Sequence, residues 1–133
     1  MNRSKTAREL HRSGYNCAQS VFMAFCESYG VSLEKAAEIS LSFGGGMGGM
    51  RETCGALTGA FMVLGLAFPT QTPPTPAEKK AHYDMVCNFS ERFRSENGTL
   101  LCRELLANGK KPCGELVENT AELLEVFLAE VKN

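Results

Sequence analysis

The chain has 133 residues, of which 44% are hydrophobic and 22% charged, and its formal net charge is -1. This length predicts a single globular domain over residues 1–133, with enough chain to build a hydrophobic core. The near-neutral charge gives no reason to expect a nucleic acid or an anionic membrane as a partner.

Apolar residues recur at helical spacing along most of the chain, and no segment shows the alternation of a strand. The predicted helices cover residues 3–13, 17–29, 33–42, 54–68, 77–96, a short segment around 101–106, and a last helix after Pro112. Asn16 and Ser32 are the expected caps of the second and third helices. We expect Leu33, Leu41 and Tyr83 to face inward. The fold class is therefore all-α, a single-domain bundle of about five to seven helices, with a proline-rich surface connection at 68–76.

A glycine-rich loop, with five glycines in the six positions 44–49, comes before an uncharged helix that we expect to be central and buried. Gly55 and Gly59 lie four residues apart on one face of that helix. Another helix, or a cofactor, can approach such a face closely because no Cβ is present. The loop also contains G-x-G-x-x-G, but a helix precedes it and no acidic residue follows at the required distance, so no nucleotide is expected.

Cys54 stands at the start of this central helix, directly after Thr53, which can cap it. The helix dipole favours a negative charge there, so the pKa of the Cys54 thiol is expected to fall below its free value. Arg51 would act in the same direction and Glu52 in the opposite one. These residues predict a nucleophilic thiolate at Cys54.

The chain has six cysteines and no apolar signal core at its N-terminus, which indicates a cytoplasmic protein with reduced thiols, metal ligands or redox groups. Four of them fall where a predicted helix begins: Cys17, Cys54, Cys102 and Cys113. Cys26 and Cys87 lie within helices among apolar neighbours, where a thiol is expected to be inert. His11 and His82 are lone histidines on charged helices and are expected to face solvent.

The segment 54–59 reads CGALTG and resembles the CGAxxG motif of the C_GCAxxG_C_C family of redox-active proteins. That family carries one cysteine upstream and two downstream, and Cys17, Cys102 and Cys113 are similar in position. The resemblance covers nearly the whole chain and selects the same four cysteines as their placement at helix starts. It implies a small helical redox protein that works with a redox partner protein, or with a component of a transporter or an oxidoreductase.

Three functions remain open at this point. The first is thiol–disulfide redox, with Cys54 attacking and another cysteine resolving. The second is an electron-transfer or sensor protein that holds an iron–sulfur cluster or another metal through Cys17, Cys54, Cys102 and Cys113. The third is a non-catalytic helical partner. The family is similar to the split-Soret cytochromes, but the chain has no C-x-x-C-H haem site. We also expect a homodimer, because two of the predicted helices are apolar on more than one side.

Overall fold

The computed structural model describes residues 2–108 and 111–132, and these residues form an all-α bundle. The helices are α1 (Arg3–Arg12), α2 (Cys17–Cys26), α3 (Leu33–Ser40), α4 (Gly55–Ala67), α5 (Pro76–Asn97), α6 (Cys102–Asn108) and α7 (Cys113–Lys132). Short 3-10 turns at Glu27–Tyr29 and Leu41–Phe43 extend α2 and α3. The predicted fold class is confirmed, and no helix in the described ranges is both long and apolar enough to cross a membrane.

Several helices begin where their capping residues predict. The Asn16 side chain accepts a hydrogen bond from the Gln19 amide, and the Gln19 side chain accepts one from the Asn16 amide, which forms a capping box. Thr75 and Glu78 make the same reciprocal pair at the start of α5. Ser32 caps α3 through the Lys35 amide. Each pair satisfies amides that the first helical turn would otherwise leave unbonded.

Two helices form the centre of the bundle. All residues of α2 from Ala18 to Cys26 are buried, and α2 contacts α1, α3, α4 and α7. The first six residues of α4 are also buried, together with Val63 and Leu64. On the side of α7, Phe89 of α5 meets Phe127 edge to face, with the ring centroids 5.3 Å apart. The prediction that α4 is buried is therefore confirmed.

Three side chains expected to face inward are exposed: Leu33 by 41%, Leu41 by 60% and Tyr83 by 61%. In α3 the buried residues are only Ala36 and Ser40, a face too narrow to include Leu33. The tighter 3-10 winding after Ser40 turns Leu41 away from that face. Tyr83 is exposed because the buried residues of α5 all lie in its C-terminal half.

The glycine-rich loop is folded back on itself. The Arg51 amide donates to the carbonyl oxygen of Gly45 at 3.1 Å, and the Glu52 amide donates to that of Gly46 at 2.9 Å. A Cβ on Gly46 would lie 2.6 Å from the Cβ of Cys102 and 2.8 Å from the Cα of Arg51. Gly46 also has a φ of 70°, which glycine adopts without steric cost. A glycine at this position lets the loop pack directly on the start of α6.

Candidate active site

A cavity of about 180 Å³ brings together four of the six cysteines. They are the four selected from the sequence, Cys17, Cys54, Cys102 and Cys113. The rest of the lining consists of polar residues, glycines and leucines: His11, Asn16, Gly45, Arg51, Gly55, Leu105, Leu106 and Leu116. The fold therefore brings these four thiols together, although 96 positions of sequence separate the first from the last (113 − 17).

The four cysteines reach the cavity because each stands at the beginning of a helix. Cys17, Cys102 and Cys113 are the first residues of α2, α6 and α7. Cys54 is itself the N-cap of α4, so the expectation that Thr53 caps this helix is wrong. Thr53 instead pairs with Leu101 in an isolated antiparallel bridge. The beginnings of four helices thus surround one small space.

The same bridge aligns Cys54 with Cys102. The Cys54 amide donates to the carbonyl oxygen of Leu100 at 2.8 Å, and the Cys102 amide donates to that of Glu52 at 2.6 Å. In an antiparallel pair, the two residues that directly follow the bridged residues lie on the same face and are diagonal neighbours. Here these two residues are Cys54 and Cys102. This pairing places both cysteines on the same side of the bridge, where the cavity lies.

The glycines of α4 allow α2 to approach closely. A Cβ on Gly55 would lie 2.4 Å from the Sγ atom of Cys17, and a Cβ on Gly59 would lie 2.6 Å from the carbonyl oxygen of Ala18. The predicted close approach of another helix is confirmed at both positions. At Gly59 protein backbone fills the space, so the structure offers no room there for a cofactor. Gly55 lines the cavity and lies beside the sulfur of Cys17.

Burial reverses the expected acidity of Cys54. The residue is only 5% exposed. The pKa of the Cys54 thiol is raised to about 12, first by burial and second by the negative charge of Cys17. The amides of Leu57 and Ala56 lower the pKa, as a helix start should, but desolvation outweighs them. The prediction of an acidic thiol at Cys54 is therefore wrong, because a positive helix end cannot compensate for the loss of water around a thiolate.

Arg51 acts on other thiols than the expected one. Its Nη1 atom lies 3.8 Å from the Sγ atom of Cys102 and can donate a hydrogen bond to it. Burial and the charges of Cys17 and Cys102 raise the pKa of Cys113, while Arg51 lowers it. Within the described residues Arg51 has no carboxylate partner. The neighbouring carboxylate of Glu52 pairs instead with Arg103 at 3.3 Å. The guanidinium therefore places a positive charge beside the cavity thiols, with no carboxylate to neutralise it.

His11 is a cavity residue that the sequence did not reveal. It is half-buried on α1 and lines the cavity with the four cysteines, so the expectation of a solvated surface histidine is wrong. Burial lowers its pKa below 6.5, and the charge of Arg8 lowers it further. At neutral pH the imidazole is uncharged and can accept a proton from a thiol. No local motif marks His11, because α1 reaches the cavity only through its packing on α2 and α7.

The other two cysteines lie outside the cavity but differ from each other. Cys26 is fully buried, and burial raises its pKa, as expected for an inert thiol. Cys87 is exposed, so the prediction that it is buried among apolar residues is wrong. The inward face of α5 is formed by Phe89, Ser90 and Phe93, and Cys87 falls outside it.

The cysteines do not form a ready metal site as they stand. Across the described ranges, no three side chains of His, Cys, Asp or Glu come together closely enough to hold a metal ion. The lining is mainly apolar apart from the thiols, Asn16, His11 and Arg51. A bare metal cation would also meet the positive charge of Arg51. The cavity is thus a set of thiols without a preformed metal site among the described residues.

Comparison with known families identifies a match. A family model described as "Putative redox-active protein (C_GCAxxG_C_C)" matches residues 15–127, which include all four cavity cysteines. No curated protein and no solved structure matches the chain.

Proposed function

The chain belongs to the C_GCAxxG_C_C family of redox-active proteins, and from that premise we propose that the four-cysteine cavity is a thiol–disulfide redox centre. The observation that carries the proposal is the meeting of Cys17, Cys54, Cys102 and Cys113 in one small cavity. Four thiols in such a space can be oxidised in pairs and thus hold up to two disulfides.

Cys17 is the attacking thiol in this proposal. It is half-exposed at the start of α2, whereas Cys54 and Cys102 are buried. Its charge is the largest charge effect on both Cys54 and Cys113, which makes it the common neighbour of the other thiols. An incoming oxidant meets Cys17 before it can reach Cys54.

The reaction takes place in two displacements. The Cys17 thiolate attacks one sulfur of a disulfide substrate, a mixed disulfide forms, and one substrate thiolate leaves with the electron pair. Cys54 then attacks the Cys17 sulfur, forms the Cys17–Cys54 disulfide and releases the second substrate thiolate. The protein loses two electrons and two thiol protons, and the substrate becomes two thiols.

The mixed disulfide makes Cys54 easier to deprotonate. Once Cys17 is bonded to the substrate, its negative charge no longer raises the pKa of Cys54. The uncharged imidazole of His11, in the same cavity, can accept the departing proton. Capture of the substrate thus removes one cause of the raised Cys54 pKa, while desolvation, the larger cause, remains.

The test is a titration of the Cys87→Ser protein in glutathione buffers of graded potential, with acid trapping and mapping of the disulfides by mass spectrometry. We expect an internal Cys17–Cys54 disulfide, while Cys26 stays reduced. The Cys17→Ser variant should accumulate no such bond. Cavity thiols that remain reduced at every potential would contradict the proposal and favour a non-catalytic helical partner. Iron and acid-labile sulfide after anaerobic purification would instead favour a cluster-binding protein.

A further inference from the structure

The cavity carries a positive charge beside its thiols and no carboxylate side chain. None of the twelve residues that line it is Asp or Glu, and Arg51 is the strong cation among them. The nearest acidic residue in sequence, Glu52, is engaged by Arg103. A charge of this kind attracts anions into a small space with low-dielectric walls.

Arg51 is exposed and yet lines the cavity, which places its guanidinium where the cavity opens to solvent. The main chain of Arg51 is held in the glycine-rich loop, where its φ is 62° and its amide donates a hydrogen bond to the carbonyl oxygen of Gly45. A non-glycine residue in the left-handed region is uncommon. The guanidinium thus stands between solvent and the sulfur of Cys102.

The size of the cavity limits what it can admit. Its volume is about 180 Å³, while an apolar cavity of about 150 Å³ holds a molecule of the size of benzene. Leu105, Leu106 and Leu116 provide an apolar wall for the uncharged part of such a molecule. A folded protein cannot enter this space, whereas a small molecule, or the slender charged end of a larger one such as glutathione disulfide, can reach half-exposed Cys17.

We propose that the cavity selects small anionic oxidants, with the anionic end bound by Arg51 and the reactive atom held against the cysteine sulfurs. This inference rests on the proposed redox function and adds the class of its substrate. A guanidinium binds carboxylates and oxyanions through two parallel hydrogen bonds, so it orients the anion as well as attracting it.

A pair of alkylating reagents tests this selection directly. Iodoacetate and iodoacetamide are similar in size and react at the same carbon, but only iodoacetate is anionic. Their rates are measured separately at each cysteine by mass spectrometry, on the metal-free reduced protein. Exposed Cys87, which does not line the cavity, serves as the internal reference. We expect the iodoacetate-to-iodoacetamide ratio at Cys17 to exceed that at Cys87 by about fivefold, and to fall as salt is added.

Variants separate anion binding from stabilisation of a thiolate. In Arg51→Gln the ratio at Cys17 should fall to that of Cys87, and Arg51→Lys should retain part of it. Arg94→Gln removes the same charge from an exposed position on α5 and should leave the reagent ratio at Cys17 unchanged. If Arg51 only stabilises a thiolate, Arg51→Gln slows both reagents equally and the ratio stays constant, which would overturn the proposal. An equal ratio at Cys17 and Cys87 in the unaltered protein would overturn it as well.

The two proposals fail in different experiments. If the reagent preference is absent but the glutathione titration still yields the disulfides, the anion selection fails and the redox function stands. Missing disulfides with an intact preference would leave an anion-binding cavity without redox function.

Discussion

The sulfur of Cys17 occupies the space into which a side chain at position 55 would extend. A Cβ on Gly55 would lie 2.4 Å from the Cys17 Sγ atom and 3.0 Å from the carbonyl oxygen of Phe43. The residue that follows Cys54 must therefore be glycine for the two helix starts to meet. This contact couples the packing of α2 on α4 to the position of a reactive thiol.

Gly55→Ala should consequently destabilise the protein by about 1–3 kcal/mol and displace the Cys17 thiol. Part of this loss should be recovered in a Cys17→Ala background, because the closest clashing atom is then absent. Urea unfolding of the four proteins of this double-mutant cycle measures the coupling. Strict additivity would show that the two residues do not press on each other.

Gly59 and Gly65 form a matched pair on α4. A Cβ on Gly59 would lie 2.6 Å from the backbone oxygen of Ala18, whereas a Cβ on Gly65 would meet nothing within 4 Å. Gly59→Ala should cost about 1–3 kcal/mol of stability, since backbone cannot yield as a side chain can. Gly65→Ala should raise stability by up to about 1 kcal/mol through helix propensity. Equal melting temperatures for the two variants would contradict the close approach of α2.

The thiols should differ strongly in their response to pH. Cys54, with a pKa of about 12, should be alkylated far more slowly at pH 7 than exposed Cys87. Its labelling rate should continue to rise well above pH 9. Alkylation from pH 6 to pH 11, quantified at each cysteine by mass spectrometry, measures this. Faster labelling of Cys54 than of Cys87 at neutral pH would contradict the effect of burial.

The same shift makes stability depend on pH. The folded protein holds the Cys54 proton more tightly than the unfolded chain does, so this contribution is fully present below the unfolded pKa of about 8.5. It is lost progressively as the pH rises from there towards 12. The free energy of unfolding should therefore fall between pH 8 and pH 10, and Cys54→Ala should fall less steeply. Cys87→Ala, at an exposed position, is the control.

His11 should accept thiol protons in the cavity. Its pKa is lowered by burial and by Arg8, so the imidazole stays uncharged at pH 7 and NMR titration should place its pKa below 6.5. We expect His11→Gln to slow disulfide formation in the cavity by about tenfold or more. His82→Gln, on α5 and away from the cavity, should leave the rate unchanged. If both variants react alike, His11 does not act on the thiols.

The homodimer stays a prediction, but the apolar helices that suggested it do not need a second chain to cover them. Both apolar helices, α2 and α4, are covered largely by elements of their own chain. Exposed apolar side chains remain on and around α3 (Leu33, Ile39, Leu41) and at Met50 of the loop. Light scattering at micromolar concentration should report a dimer, and Ile39→Lys should weaken it if this surface is used. A monomer at that concentration would contradict the prediction.

The sequence by itself determined the helices and singled out the cysteines that line the cavity. Caps such as Asn16 and Ser32 act within one turn, so their effect can be read locally. Periodic apolar residues fix which segments are helical, and helix starts mark Cys17, Cys54, Cys102 and Cys113. The glycine spacing at 55 and 59 predicted a close helix contact, because the absence of a Cβ is itself a property of the sequence.

Only the tertiary structure decided the chemistry of each side chain. The helix dipole at Cys54 is local, but the desolvation that raises its pKa comes from everything packed around it. Arg51 lies close to Cys54 in sequence, yet its guanidinium reaches Cys102, because the loop and the 53–101 bridge set its direction. Helix packing likewise places His11 at the cavity and leaves Cys87 exposed outside the core. Burial and charge depend on neighbours distant in sequence, and only the folded chain brings those neighbours together.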